Sequence, residues 1–267
     1  MKLNTVISLL LIGVFVLSGC GSPAAASPTA AAAITMKIFA PSSLTDAARE
    51  LAANFEASHP GVKVAIEFGH SPTQRLQFTE GATGDVFMTA SQKDMTDAIA
   101  DKSVAEGAAR VFASNKLVII LSPKNAPNLG KLEDLSSAGV KLLVGNTDIP
   151  VGMMTMQALD KMDKQIGAGF KQQVIANIVS NEAGVKPIVS KTKLDEADAG
   201  IVYISDTISA PDLKTISIPD ELNMVSKLNI APLANSTHAD LAAAFCDYVV
   251  SAEGQAVLQK WGFLPAK

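Results

Sequence analysis

The chain is poor in the residue types from which most reactive sites are built. Its 267 residues include two cysteines, three histidines, one tryptophan and two tyrosines. One cysteine, Cys20, closes a leader segment, so only Cys246 is left and no intramolecular disulfide is expected. Cys246 lies in LAAAFCDYVV, a context that suits a small core residue better than a nucleophile. His59, His70 and His238 are scattered, and no His/Cys/carboxylate group has metal-ligand spacing. Neither a bare metal ion nor a cofactor is therefore expected. Basic runs and aromatic–basic interleaving are missing as well. The formal charge is −4, or −5 once Lys2 leaves with the leader, which argues against nucleic acid as a partner. After the leader, no apolar stretch is long enough to span a bilayer.

The leader has a basic start at Lys2, an apolar run ISLLLIGVFVL and the closing LSGC. Residues 1–19 thus read as a secretory signal. Leu17-Ser18-Gly19-Cys20 resembles a bacterial lipobox, which implies cleavage before Cys20 and acylation of that residue. Two or more acyl chains hold firmly, so the mature protein is expected to be tethered on the outer, periplasmic side of a membrane. Residues 21–35, GSPAAASPTAAAAIT, carry no charge and no aromatic and read with Cys20 as a flexible tether.

The remainder is long enough for two modest domains or one large one. ITMKIFA, VKVAIEF, DVFMT, KLVIILS, VKLLVG, GIVYIS and KLNIAPL are β-rich runs that read as buried strands. Between them, Leu44, Ala47, Ala48, Leu51, Ala52 and Phe55 follow helical spacing, and His59-Pro60-Gly61 ends that helix. Val151, Met154, Ala158, Leu159 and Met162 repeat the pattern, and helical spacing makes core packing the better reading of that methionine-rich stretch than a soft-metal site. The alternation predicts α/β architecture with mostly parallel sheets flanked by helices.

Polar chemistry concentrates where strands give way to helices. Ser42-Ser43 follows the first strand and Gly69-His70-Ser71-Pro72 the second; Ser43-Leu44-Thr45-Asp46 and Ser71-Pro72-Thr73-Gln74 both resemble capping boxes, with Ser71 as N-cap and Pro72 as first helical residue. Pro150-Val151-Gly152 and Ala183-Gly184-Val185 open later helices. Helix starts beyond strand carboxyl ends offer unpaired N–H groups and about half a positive charge each. A serine can serve there twice, its oxygen accepting a backbone bond while its O–H donates to a ligand.

A serine hydrolase is the rival class. Gly69-His70-Ser71-Pro72-Thr73 nearly fits a nucleophile elbow, but the fifth position is Thr, and Pro72 lacks the N–H that an oxyanion hole requires. Ser190-Lys191-Thr192-Lys193 matches Ser-x-x-Lys without the companion motifs of that class.

APSSLTDA, FGHSPTQRL, GATGDVFMTASQKDM, the IPVG turn, AGIVYISD and the closing QKWGF, in that order, resemble the periplasmic molybdate-binding proteins of ABC importers. The resemblance implies a two-lobed class II periplasmic-binding-protein fold, with lobe I over residues 36–115 and 225–267 and lobe II over 116–224. It also implies a tetrahedral oxyanion, molybdate or tungstate, held between the lobes by neutral donors and delivered to a membrane permease by a monomer. Carried over by motif, the donors are the hydroxyls of Ser43, Ser71 and Tyr203 and the backbone N–H groups of Val151 and Val185. Sulfate is the alternative ligand. Asp148 and Glu182 are candidate extra carboxylate ligands of a tungstate-binding class, and Asp85 is the candidate acceptor for a protonated phosphate. Iron(III) binders of the same fold resemble sites with paired tyrosines, for which only Tyr203 and Tyr248 exist here. Pro41 and His70 stand where the family has small residues, and NEAGVKP departs from its pattern beside Val185.

Overall fold

A computed structural model describes residues 34–124 and 128–266. The leader, Cys20 and most of the tether lie outside those residues. Ile34 and Thr35, where the tether and strand readings above overlap, belong to the first strand, with the Ile34 N–H bonded to the Gly61 carbonyl at 2.9 Å.

The described elements run β1 (Ile34–Pro41), α1 (Thr45–Ser58), β2 (Val62–Gly69), α2 (Ser71–Thr79), β3 (Val86–Thr89), α3 (Gln92–Ala100), β4 (Arg110–Leu121), β5 (Leu142–Gly145), α4 (Pro150–Ile166), α5 (Phe170–Ala176), β6 (Ile178–Glu182), α6 (Val185–Lys193), β7 (Ala199–Tyr203), β8 (Thr215–Ser217), β9 (Val225–Pro232), α7 (Ala239–Val250) and α8 (Ala252–Lys260). The strands form one curled succession, β2-β1-β3-β9-β4-β7-β5-β6, with β8 on β4. Parallel pairing joins β1 to β2 and β3, and β5 to β6 and β7. The antiparallel pairs all involve the two crossover strands, β4 and β9.

Periodicity explains most elements. Ala47, Ala48, Leu51, Ala52 and Phe55 form the buried stripe of α1, as their spacing predicts, and α1 stops before Gly61, whose φ of +90° suits glycine. On α4, Val151, Met154, Ala158, Leu159 and Met162 are buried in the same way, so its methionines are core residues. The apolar core divides along the chain. Clusters built from residues 36–113 and 228–263 are separate from clusters built from 117–222.

β4 starts six residues earlier than its apolar run suggests, because buried polar residues occupy its first half. The Ser114 hydroxyl donates to the Pro265 carbonyl at 3.0 Å, and the Asn115 amide donates to Ser205 Oγ at 2.8 Å. Partners far away in sequence, rather than local hydrophobicity, hold that half in the sheet.

Candidate functional site

Both serine-bearing junctions leave the sheet side by side. Pro41 and Gly69, the last residues of β1 and β2, are paired. The Ser42 hydroxyl reaches across to the Gly69 carbonyl at 3.4 Å. The capping role expected of Ser43 and Ser71 is not what the structure shows. A 3-10 turn, Ser42–Leu44, separates β1 from α1, because the Thr45 N–H and hydroxyl both close on the Ser42 carbonyl. The N-cap of α1 is accordingly Leu44. In α2 the Gln74 N–H bonds the His70 carbonyl at 3.0 Å, which makes His70 the N-cap and Ser71 the first helical residue. Neither cap position carries a side-chain bond. The Ser43 hydroxyl, exposed, and the Ser71 hydroxyl, on a residue 7% exposed, have no partner among the described residues. No histidine or carboxylate bonds either one, so neither has the base that a nucleophile needs.

On the other side of the sheet, Gly145 and Glu182, the last residues of β5 and β6, are paired, and β7 runs beside β5 in the same direction. Helix α4 opens on Pro150, whose missing N–H is no loss in a first turn. The first helical bond runs from the Met153 N–H to the Ile149 carbonyl, so the Val151 N–H has no intrahelical partner. Gly152 explains how closely α4 seats on β5. A Cβ there would collide with the Asn146 and Gly145 carbonyl oxygens. A Cβ on Gly145 would stand 2.5 Å from Val151 Cγ1. Helix α6 begins at Val185 after Gly184, and Pro187 falls in its first turn, where no backbone bond is lost.

Tyr203 ends β7 with 9% of its surface exposed. Among the described residues its hydroxyl donates only to Met154 Sδ, at 3.5 Å, on α4. Burial, and then the nearby Asp206 carboxylate, raise the phenol above its ordinary pKa, so the group stays a donor throughout the working pH range.

Strand directions aim these ends toward one crossing. Through Lys116, β4 pairs with β9; from Leu117 on, it pairs with β7 and β8. Both β3 and β4 oppose β9, so β1, β2, β3 and β4 all run toward the Lys116–Leu117 step. From the far side β7 runs against β4, its last residue Tyr203 stands opposite Leu117, and β5 and β6 run with it. The carboxyl ends that carry Ser43, Ser71, Val151, Val185 and Tyr203 thus face one crossing. Polar side chains brace that crossing. Asn223 bonds both the N–H and the carbonyl of Leu117, at 3.0 and 2.9 Å, and the Ser226 hydroxyl holds the Ala90 carbonyl at 2.9 Å. Two surface cavities of about 330 Å³ lie elsewhere and are lined by none of the five residues.

The carboxylates placed to compete with a bound anion are mostly committed. Glu182 accepts Lys191 Nζ at 2.6 Å and the Ser180 hydroxyl at 2.7 Å, and these bonds hold its pKa below the ordinary value. Asp85 accepts the Lys37 N–H at 2.7 Å and the Ser236 hydroxyl at 2.6 Å, with His238 Nδ1 at 3.3 Å. It serves the backbone of β1. Asp148 is exposed before α4, and His70 is exposed at the start of α2. Burial pushes the Asp206 carboxyl up to about 6, against the Tyr203 N–H bond and Lys186, which lower it. The two tyrosines do not form a pair. Tyr203 faces α4, whereas Tyr248 packs with Phe55 and Phe245. Asn223 was not singled out in the sequence, since its bonds to Leu117 span 106 positions, and Gln74 entered only as part of a capping box, since its bonds to Ala40 and Glu67 lie outside that motif.

The chain matches the bacterial extracellular solute-binding protein family over residues 36–264. It is 31% identical to the molybdate-binding protein ModA of Mycobacterium bovis over 260 residues, which is 96% of this chain and 95% of that protein. The periplasmic molybdate-binding protein of Azotobacter vinelandii shares the fold, with a TM-score of 0.71, 21% identity and coverage of 87% of this chain and 100% of that one. So does the sulfate-binding protein SubI of Mycobacterium tuberculosis, with a TM-score of 0.73, 17% identity and coverage of 88% of each chain. The fold, a class II periplasmic-binding-protein fold, is therefore common to binders of different oxyanions. The chain belongs to the bacterial extracellular solute-binding protein family, and within it to the molybdate-binding proteins.

Proposed function

We propose that the protein captures molybdate, or the nearly isosteric tungstate, between two lobes and delivers it to the membrane permease of an ABC importer. The observation that carries this reading is that the carboxyl ends of β1 and β2 on one side, and of β5, β6 and β7 on the other, point toward the Lys116–Leu117 crossing. Two partnerless serine hydroxyls, two helix-start N–H groups and a tyrosine hydroxyl held only by a thioether supply donors without a lysine or arginine. Donors alone favour a fully ionised dianion. Hydrogen phosphate would need an acceptor, and Glu182 and Asp85 are engaged elsewhere. The molybdate-binding relative supports the choice of ligand. Sulfate is the second reading, favoured by the sulfate binder that shares the fold.

The switch in pairing partners at Lys116–Leu117 and the division of the core support lobe I over residues 36–115 and 225–267 and lobe II over 116–224. The chain crosses between them in β4 and returns near Val225. Closure of the lobes excludes water, and in the resulting low dielectric each donor–oxyanion bond strengthens. The protein binds and releases without catalysis, acts as a monomer, and is anchored outside the membrane through acylated Cys20.

Calorimetric titration with molybdate, tungstate, sulfate and phosphate tests this reading. Tight binding of molybdate and tungstate, with no phosphate heat, is the expected result. Absence of heat from both molybdate and tungstate refutes it.

A further inference from the structure

We propose that Gln74 is a positioning residue for the serine half of the oxyanion site. Its carboxamide clamps the ends of β1 and β2 so that Ser43 and Ser71 present their hydroxyls at a fixed spacing. The inference rests on the oxyanion reading above.

Gln74 is the fourth residue of α2 and is 2% exposed. Its Nε2 donates to two backbone carbonyls, Ala40 in β1 at 3.1 Å and Glu67 in β2 at 2.7 Å. Both partners are acceptors, so the nitrogen must point at them and the amide orientation is settled by chemistry. The Oε1 atom is then left buried with no partner. A side chain kept only to fill space would be better as methionine or leucine, which bury no unpaired acceptor. The amide is retained for its donors.

The surroundings are shaped to it. A Cβ on Gly69 would stand 3.1–3.3 Å from three atoms of the Gln74 side chain, so glycine makes the room. The Gln74 N–H makes the bond to His70 that opens α2. One residue therefore joins the end of β1, three positions before Ser43, to the end of β2, four positions before Ser71, and to the helix that carries Ser71. Among the described residues β2 is an outer strand with β1 as its sole strand partner. The two serine hydroxyls have no bonds among the described residues, so their placement depends on the backbone that Gln74 holds.

The test uses the full-length chain, with calorimetry on molybdate and thermal unfolding of each variant. Gln74→Met is expected to keep Tm within a few degrees and lose at least fivefold in affinity. Leu51→Ala, a cavity in α1, is the stability control, expected to lower Tm with affinity unchanged within twofold. Gln74→Glu adds a pH signature. At pH 8 its carboxylate donates nothing, while at pH 5.5 the protonated form, favoured by burial, restores one bond. Its deficit relative to the unsubstituted protein should shrink on acidification and its affinity should then exceed that of Gln74→Met. Unsubstituted affinity in Gln74→Met, or losses in Gln74→Met and Leu51→Ala that merely track Tm, overturns the proposal. If Gln74→Met does not fold, a Gln74→Glu deficit that stays flat from pH 8 to pH 5.5 overturns it. Failure of the unsubstituted protein to bind any oxyanion removes the functional reading itself, and the clamp falls with it.

Discussion

Replacing Tyr203 by phenylalanine separates binding from folding more cleanly than any other change at the site. The ring is 9% exposed and packs in the core, and phenylalanine preserves it. What is removed is one O–H whose only internal partner is a thioether at 3.5 Å, a weak acceptor. Its loss is worth no more than about 0.5 kcal/mol by the scale of weak bonds. For a chain of this size that moves Tm by roughly 1–2 °C. A hydrogen bond to a charged group contributes about 1.5–3 kcal/mol, so oxyanion affinity should fall by roughly 10- to 150-fold. Burial keeps the phenol protonated, so the ratio of the two affinities should be flat from pH 6 to pH 9. Calorimetry and thermal unfolding on matched samples read both quantities. Affinity within twofold of the unsubstituted protein, with Tm unchanged, would refute the assignment of Tyr203 as a ligand.

Ser43→Ala and Ser71→Ala should each weaken oxyanion binding more than tenfold while Tm changes little, since neither hydroxyl is bonded internally; unchanged affinity in both would remove the serines from the site. Gly152→Ala forces a methyl against the Asn146 and Gly145 carbonyls; it should lift the start of α4 off β5 and lower both Tm and affinity, measurable by the same two methods. The Asp206 carboxyl titrates at about 6 in the folded protein, above its ordinary 3.8, so the folded state holds the proton more tightly than the unfolded state. Its contribution favours folding below pH 4 and is lost as pH rises through 6. Asp206→Asn, which keeps an acceptor for the Tyr203 N–H, should therefore be more stable than the unsubstituted protein at pH 7.5, with the gain vanishing near pH 4 in denaturant titrations. Cys20→Ser should abolish lipid labelling and release the chain from membranes on fractionation; retention on the membrane would contradict the anchor.

The legible part of the fold was the part with local causes. Strands buried on both faces, such as Val86–Thr89 and Leu142–Gly145, show as unbroken apolar runs. β6 does not, because this outer strand alternates exposed and covered residues, and β8 is only three residues long. Helix starts with backbone donors were legible from Pro150-Val151-Gly152 and Gly184-Val185, since proline and glycine punctuate the chain there. The serine caps were misread because a capping box and a 3-10 turn begin with the same residue types. Hydrogen bonding to the Ser42 and His70 carbonyls decides between them. The bracing residues were out of reach for another reason. Gln74 bonds a carbonyl 34 positions away and Asn223 a residue 106 positions away, and no local periodicity encodes such partners.

The central claim is that neutral donors from two sets of strand ends share one dianion. A crystal structure of the molybdate complex, with the metal located by its anomalous signal, tests it most directly. The account predicts molybdenum at the Lys116–Leu117 crossing, with oxygens about 2.7–3.1 Å from the Ser43, Ser71 and Tyr203 hydroxyls and the Val151 and Val185 nitrogens. Molybdenum bound elsewhere, or held mainly by lysine or arginine side chains, would contradict it.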